Sequence, residues 1–365
     1  MPRSIPIQSD DAAVLVQEGA GNAFETFDAS VQPYKLVQNF SYSVGMPREE
    51  PKQLGTQDVS FRQLNRQPDI ELNFSYIPEP SLSNETFGLF AKTAWLGGAK
   101  QMFSGVPDDS TNFYVVVPPQ NATYEPYDVI TDDGNPFNLT GFNCLAFGNC
   151  YANSYSLSYG IGGLPLITTN YIASNMVYES LTGTSMEMPA INLTGGNNDN
   201  VKRCLFEIDP QMSDDITPPL VNPTDPNSSI TLQNLQVGGQ NLSGVHLVQS
   251  LNMQVTLSRV SSYGLGNNFP YNRKAQFPAD GSFSVSSLVS GFDDGFMTGV
   301  LDNDENYSFE CVIASGNKKL IYEVQDAKLA SYNYTMGIND VMNFSADFSF
   351  KVTEERGLRL SGTSY

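Results

Sequence analysis

Histidine is nearly absent from this chain: His246 is the only one in 365 residues. Ser-His-Asp chemistry would have to use it, and no nucleophile motif lies nearby. His246 reads instead as a strand-edge residue. Cations are scarce too, with 19 Lys and Arg against 39 Asp and Glu, a formal charge of −20. That argues against wrapping nucleic acid, which needs Lys and Arg to displace counterions from phosphates. Cysteines number four: Cys144, Cys150, Cys204 and Cys311. The first two stand in FNCLAFGNC with five residues between them, which is not a zinc-ribbon spacing. No run of 18 apolar residues occurs, so no membrane-spanning segment is expected. MPRSIPIQSDDAAV lacks an apolar h-region, so no secretory signal is expected. Free thiols are then the default, with a Cys144–Cys150 bridge as the open alternative. A GxxxxGK[ST] phosphate loop is missing. Asp302-Asn303-Asp304-Glu305-Asn306 lacks the glycine and terminal glutamate of an EF-hand loop. Asp132-Asp133 and Asp293-Asp294 stand beside glycine as turn residues. The sequence therefore predicts no enzyme, and no catalytic, cofactor or metal site.

What is present is internal similarity. Residues 36–77 align without a gap onto 247–288 at a constant offset of 211, with 10 identities in 42 positions. Leu36-Val37-Gln38 meets Leu247-Val248-Gln249; Val44, Arg48, Leu54-Gly55 and Arg62 meet Val255, Arg259, Leu265-Gly266 and Arg273. Asp69 and Ser75 meet Asp280 and Ser286. A second block repeats at an offset of 177: Ser154-Tyr155 meets Ser331-Tyr332, Gly160-Ile161 meets Gly337-Ile338, and Ile167 and Tyr171 fall on Phe344 and Phe348. The order is the same in both, which predicts a duplicated domain.

The period of the apolar residues predicts β structure. Phe40, Tyr42 and Val44 alternate, as do Leu251, Met253 and Val255, and Phe344, Phe348 and Phe350. GIGG at 160–163 reads as a hairpin turn. The best helix candidate is NETFGLFAKTAWL, 84–96, with Asn84 as cap and a weaker counterpart near 293–301. The expected class is all-β, a sandwich or barrel present twice, with a short helix per domain at most. The expected division is an N-terminal arm (1–35), copy one (36–180), a Pro- and Asn-rich connector (181–244), copy two (245–355) and a C-terminal tail (356–365). Copy one carries an insertion at about 104–150 with six acids and no base: Asp108, Asp109, Glu125, Asp128, Asp132 and Asp133. Either it is a solvated loop, or it is a surface that repels a polyanion.

Residues 247–289 resemble the tail tube proteins of long-tailed bacteriophages. The resemblance lies in a strand followed by Ser258-Arg259, a Leu265-Gly266 turn, Pro270-Tyr271 with Arg273, and Pro278 before the next strand. Residues 330–352 look like the closing hairpin of the same domain; copy one keeps Arg48, Leu54-Gly55 and Arg62 but not the Pro-Tyr pair. The resemblance implies strands that join between subunits into a cylinder, with Phe40, Tyr42, Val44, Leu251, Met253, Val255, Phe344, Phe348 and Phe350 marking candidate inter-subunit strands. It implies rings stacked into a tube for DNA passage during genome ejection, in the virion tail of a protein made in the host cytoplasm. Its partners would be other copies of itself, the tail tip and tail-terminator proteins, and DNA in transit. Two domains per chain make the expected ring a homotrimer with pseudo-sixfold symmetry. The alternatives are another virion β-protein (distal tail, tail-completion or decoration) and a cell-surface glycan-binding module.

Overall fold

The structure is a computed structural model. It describes residues 12–18, 32–46, 48–49, 54, 63–64, 69–78, 99–101, 111–117, 142–173, 175–180, 185–188, 202–205, 228–237, 240–241, 246–263, 270–288, 306–315, 318–336, 342–353 and 357–362. Among them every regular element is a strand. The first half holds β1 (Ala13–Glu18), β2 (Gln32–Pro33), β3 (Val37–Gly45), β4 (Arg48–Glu49), β5 (Gln63–Leu64), β6 (Asp69–Tyr76), β7 (Ala99–Gln101), β8 (Thr111–Val117), β9 (Asn143–Gly160), β10 (Leu166–Ala173) and β11 (Asn175–Ser180). The second half holds β12 (Ser185–Met188), β13 (Lys202–Leu205), β14 (Ser228–Val237), β15 (Gln240–Asn241), β16 (His246–Thr256), β17 (Arg259–Tyr263), β18 (Pro270–Ala275), β19 (Ala279–Leu288), β20 (Tyr307–Ser315), β21 (Lys318–Thr335), β22 (Asn343–Val352) and β23 (Leu358–Gly362). The helix candidates at 84–96 and 293–301 lie outside the described residues.

Eight strands form one continuous antiparallel sheet in the order β3-β6-β10-β9-β16-β19-β22-β21. Strict alternation builds it. Along β22 the even positions Phe344, Ala346, Phe348, Phe350 and Val352 are buried, and Ser345, Asp347, Ser349 and Lys351 are exposed. A period of two puts successive side chains on opposite faces. β9 and β21 are each 18 residues long and serve two sheets. Their C-terminal halves belong to the eight-stranded sheet. The N-terminal half of β9 pairs with β8 and β11, and that of β21 with β20 and β23. β1 adds to β8, and β14 adds to β20.

These two smaller sheets cover the apolar face of the large one, and aromatic rings fill the contact. Phe113 on β8 lies 4.6 Å from Phe74 and 4.8 Å from Tyr171. Phe309 on β20 lies 4.6 Å from Phe283 and 5.2 Å from Phe348. Tilted and edge-on ring pairs at these distances add to the area they bury.

The two halves of the large sheet share one register. Val44 faces Ile70 and Val255 faces Gly281, and both residues of the second pair sit 211 positions further on. Tyr171 faces Leu72, and Phe348 faces Phe283. Irregularities coincide as well. The shift between Val37 and Asn39 recurs between Val248 and Ser250. The one opposite Ser154 and Ala152 recurs at Ser331 and Leu329, 177 positions on. The hairpin β4–β5 pairs Arg48 with Leu64, and β17–β18 pairs Arg259 with Ala275, again 211 apart.

Three segments read from the sequence as arm, connector and tail supply strands to these sheets. β1 is buried at Ala13-Val14-Leu15-Val16 and pairs with β8 along its whole length. β14 pairs with β20, and β23 with β21. An apolar run buried on both faces carries no alternation, so β1 left no period to read. The Gly160–Gly163 turn, with Gly162 at φ +79°, links β9 to β10.

Candidate functional site

The face of the large sheet opposite the core is a broad polar surface. Cross-strand neighbours line up in rows. One row crosses all eight strands as Asn39, Ser75, Thr168, Ser156, Gln254, Ser282, Ser349 and Lys328. A second runs Ser158, Asn252, Ser284, Asp347 and Ser331. Eight strands at about 4.8 Å spacing make this face roughly 34 Å wide.

Hydroxyls and amides bond one another across the strands. Asn170 donates to Asn73 Oδ1 at 2.8 Å, and Asn153 to Asn170 Oδ1 at 3.2 Å. Ser75 and Thr168 hydroxyls meet at 3.1 Å. Ser286 donates to Asn343 Oδ1 at 2.9 Å. Charge on the face is sparse: the described rows carry Glu71, Asp280 and Asp347 against Lys328 and Lys351, and Lys351 pairs with Asp280. Ser331 donates to Asp347 Oδ2 at 2.6 Å. That bond, with a second from Ser284, holds the Asp347 carboxyl below its usual pKa.

The sheet has two ends. Among the described residues β3 pairs only with β6, and residues 331–335 of β21 pair only with β22. Both edges carry exposed apolar side chains: Tyr42 (46%) with Met46 just beyond β3, and Tyr332 (41%) with Met336 just beyond β21. These are the places where a half-buried strand lacks a neighbour.

Of the nine sequence-predicted inter-subunit positions, only Phe40, Tyr42 and Val44 lie on an open edge. Leu251, Met253 and Val255 on β16 are flanked by β9 and β19. Phe344, Phe348 and Phe350 on β22 are flanked by β19 and β21. Those six are interior and buried, so the sequence reading of them as subunit-joining strands is corrected. Alternation reports burial of one face and is silent on whether a strand has one neighbour or two. The second open edge, 331–335, was missed; its signal was the match of Ser331-Tyr332 to Ser154-Tyr155 in an interior strand. The acidic candidates Asp108, Asp109, Glu125, Asp128, Asp132 and Asp133 lie outside the described residues.

The joint between the two halves of the sheet is β9–β16, paired from Ser154↔Thr256 to Gly160↔Ser250. Arg259 fastens it. Its Nε donates to the Ala152 carbonyl and its Nη1 to the Arg273 carbonyl, and its guanidinium lies 5.3 Å from the Tyr151 ring centroid. Tyr155 on β9 meets Tyr322 on β21, hydroxyl to hydroxyl, at 2.5 Å.

Among the described residues no group of three His, Cys, Asp or Glu could hold a metal ion. Cys144, Cys150 and Cys311 are buried and outside any disulfide; burial pushes the Cys311 thiol up to about 12 and raises the Cys150 thiol as well. An open groove beneath β17–β18 is lined by Thr256, Ser258, Val260, Phe277 and Asp280, with Asp280 its one ionisable group. No helix of the described residues is long and apolar enough to cross a membrane.

No protein-family model matches the chain, and no curated protein does. Solved structures that are similar in part include the following two. The SPP1 tail tube, determined by solid-state NMR and cryo-EM, matches over 49% of this chain and 82% of its own at 13% identity, with a TM-score of 0.31. A chain of the native gene transfer agent virion matches over 38% of this chain and 96% of its own at 15% identity, with a TM-score of 0.24.

Proposed function

We propose that this chain is a structural virion protein, a tail tube subunit whose eight-stranded sheet lines the lumen of a ring. The observation that carries this reading is one wide sheet with a polar face, a core-packed face and an open edge at each end. A sheet of that kind leaves edge groups unsatisfied in a monomer, and closure into a ring removes the edges altogether. An even number of antiparallel strands lets β21 of one chain meet β3 of the next in antiparallel sense. The shared registers of the two halves support one tube-type domain present twice. Three chains then give a pseudo-sixfold ring of twenty-four strands, a cylinder about 50 Å across at the backbone for strands tilted near 40°.

The polar face suits DNA passage. Hydroxyls and amides hydrate well, and the two lysines on it are balanced by three carboxylates. Few cations means few phosphate contacts and little retention of a moving duplex. The chain's partners in this reading are other copies of itself, stacked rings above and below, and the proteins that close the tube at its tip and its terminator end. Its role is structural rather than catalytic.

Negative-stain electron microscopy of the purified protein at rising concentration tests the proposal. Hollow end-on views with threefold or sixfold symmetry, and side views of stacked rings, are expected. A dispersed monomer at every concentration would overturn it. Single rings that never stack would favour a distal-tail or tail-completion role.

A further inference from the structure

We infer that β3 of one chain pairs with residues 331–336 of a second copy in the register that β16 already adopts on β9 within the chain. This rests on the ring reading above and goes beyond it, because it fixes which edges meet and residue by residue how.

β16 corresponds to β3 at an offset of 211, and β9 to β21 at an offset of 177, in sequence and in pairing register. β9–β16 is therefore a joint between one half of the sheet and the next, and the outer edges are the same two strands without each other. Carrying the register across gives definite pairs. Val255↔Tyr155 becomes Val44 opposite Tyr332 of the partner subunit. Met253↔Leu157 becomes Tyr42 opposite Tyr334 of the partner subunit, and Leu251↔Tyr159 becomes Phe40 opposite Met336 of the partner subunit. On the polar face, Gln254↔Ser156 becomes Ser43 opposite Asn333 of the partner subunit.

Burial supports the same assignment. Met253 and Tyr155 are 0% exposed inside the chain's own joint, while their counterparts Tyr42 and Tyr332 are 46% and 41% exposed. Leu257 is 1% exposed and donates its amide to the Asn153 carbonyl; its counterpart Met46 is 59% exposed. Among the described residues, four of the ten exposed large apolar side chains, Tyr42, Met46, Tyr332 and Met336, are thus at or just beyond the two edges that this pairing would cover. The clamp has a counterpart too. Arg259 reaches back over the joint to Ala152, and Arg48 holds the matching place at the head of β4, exposed. In the inferred seam Arg48 donates to the carbonyl of Leu329 of the partner subunit. This accounts for the Arg48/Arg259 identity, which neither core packing nor solubility requires. The occupant is a second copy because each edge finds its complement only on the other end of the same chain.

Disulfide trapping tests the register. In S43C/N333C the new thiols face each other across the inferred seam, and within one chain they sit at opposite ends of a sheet roughly 34 Å wide. In S41C/S331C the inferred register leaves them about 14 Å apart, beyond the reach of a disulfide. The native Cys144, Cys150 and Cys311 are buried, and the four single variants serve as controls. Assembled protein is oxidised and run on a denaturing gel, with rings scored by microscopy in parallel. The expected result is a ladder ending at the ring copy number for S43C/N333C, with about tenfold less cross-linking for S41C/S331C. Rings that cross-link at S41C/S331C, or at neither pair, overturn the register and leave the ring itself standing. Absence of rings in the unsubstituted protein overturns both. If S43C/N333C itself fails to assemble, hydrogen exchange on unsubstituted rings decides. Protection of the amides of 40–46 and 331–336 on assembly supports the seam, and unchanged exchange overturns it.

Discussion

Gly281 shows how closely single side chains are fitted in this sheet. A Cβ there would meet the Phe350 ring at 2.3 Å, because the ring lies across the glycine from the neighbouring strand. The equivalent position in the first half is Ile70, opposite Ala173 rather than a phenylalanine. Gly281→Val is expected to cost about 1–3 kcal/mol by overpacking, read from urea unfolding. Thiols offer a second check at this scale. Cys144, Cys150 and Cys311 are buried and outside any disulfide, so a thiol reagent is expected to titrate at least three more groups in denaturant than in the folded protein. Asp347 provides the third. Its carboxyl pKa is depressed by the Ser331 hydroxyl and then by Ser284. The stability it contributes is present above the unfolded carboxylate pKa and lost as pH falls through the lower folded value. Ser331→Ala is expected to raise the Asp347 pKa towards the ordinary carboxylate range, measured by NMR titration of the carboxyl carbon.

At the scale of the element, equivalent positions in the two halves respond differently because one strand has two neighbours and the other has one. Tyr155 is buried in the joint and hydrogen-bonded to Tyr322, whereas Tyr332 stands at an open edge. Tyr155→Glu is expected to unfold the chain, since it buries a charge without a partner. Tyr332→Glu is expected to leave the melting temperature of the dispersed protein nearly unchanged, within about 0.5 kcal/mol of stability, and to abolish assembly in light scattering. Equal loss of stability from the two would show that the edge is covered within the chain. This difference also marks what the sequence could convey. Alternation in Phe344-Ala346-Phe348-Phe350 exposed the strand and its buried face, and the fixed offsets of 211 and 177 matched positions whose pairings prove to recur, although which strands pair was not read from them. Which strands are interior was not legible, because Met253 and Tyr42 obey the same alternation while one is sealed by β9 and the other is open. β1 escaped notice for the opposite reason: Ala13-Val14-Leu15-Val16 is covered on both faces and so shows no alternation at all. The polar rows were hidden because each polar side chain looks like an ordinary exposed strand residue until the registers set eight of them side by side.

For the whole molecule, charge sets the conditions of the proposed assembly. Each chain carries −20, and like charges on approaching subunits repel. The seam inferred between them is apolar side chains and backbone hydrogen bonds, which salt hardly weakens. Raising ionic strength from about 0.01 M to 0.15 M shortens the screening length from roughly 30 Å to 8 Å, and is expected to speed ring formation in stopped-flow scattering. Slower assembly with added salt would point to ion pairs at the seam instead. Duplex DNA mixed with preformed tubes at low salt is expected to show no retention on sedimentation, in keeping with the sparse cations of the polar face.

The β9–β16 joint carries one more consequence, for the order of the assembly reaction. It closes while a single chain folds, at an effective concentration fixed by the tether and independent of dilution. In the ring proposed above, every second seam is then present before any two molecules meet. On that proposal ring formation is an encounter of three bodies rather than six, with a correspondingly shallower threshold on dilution than a ring built from separate single-domain subunits would show.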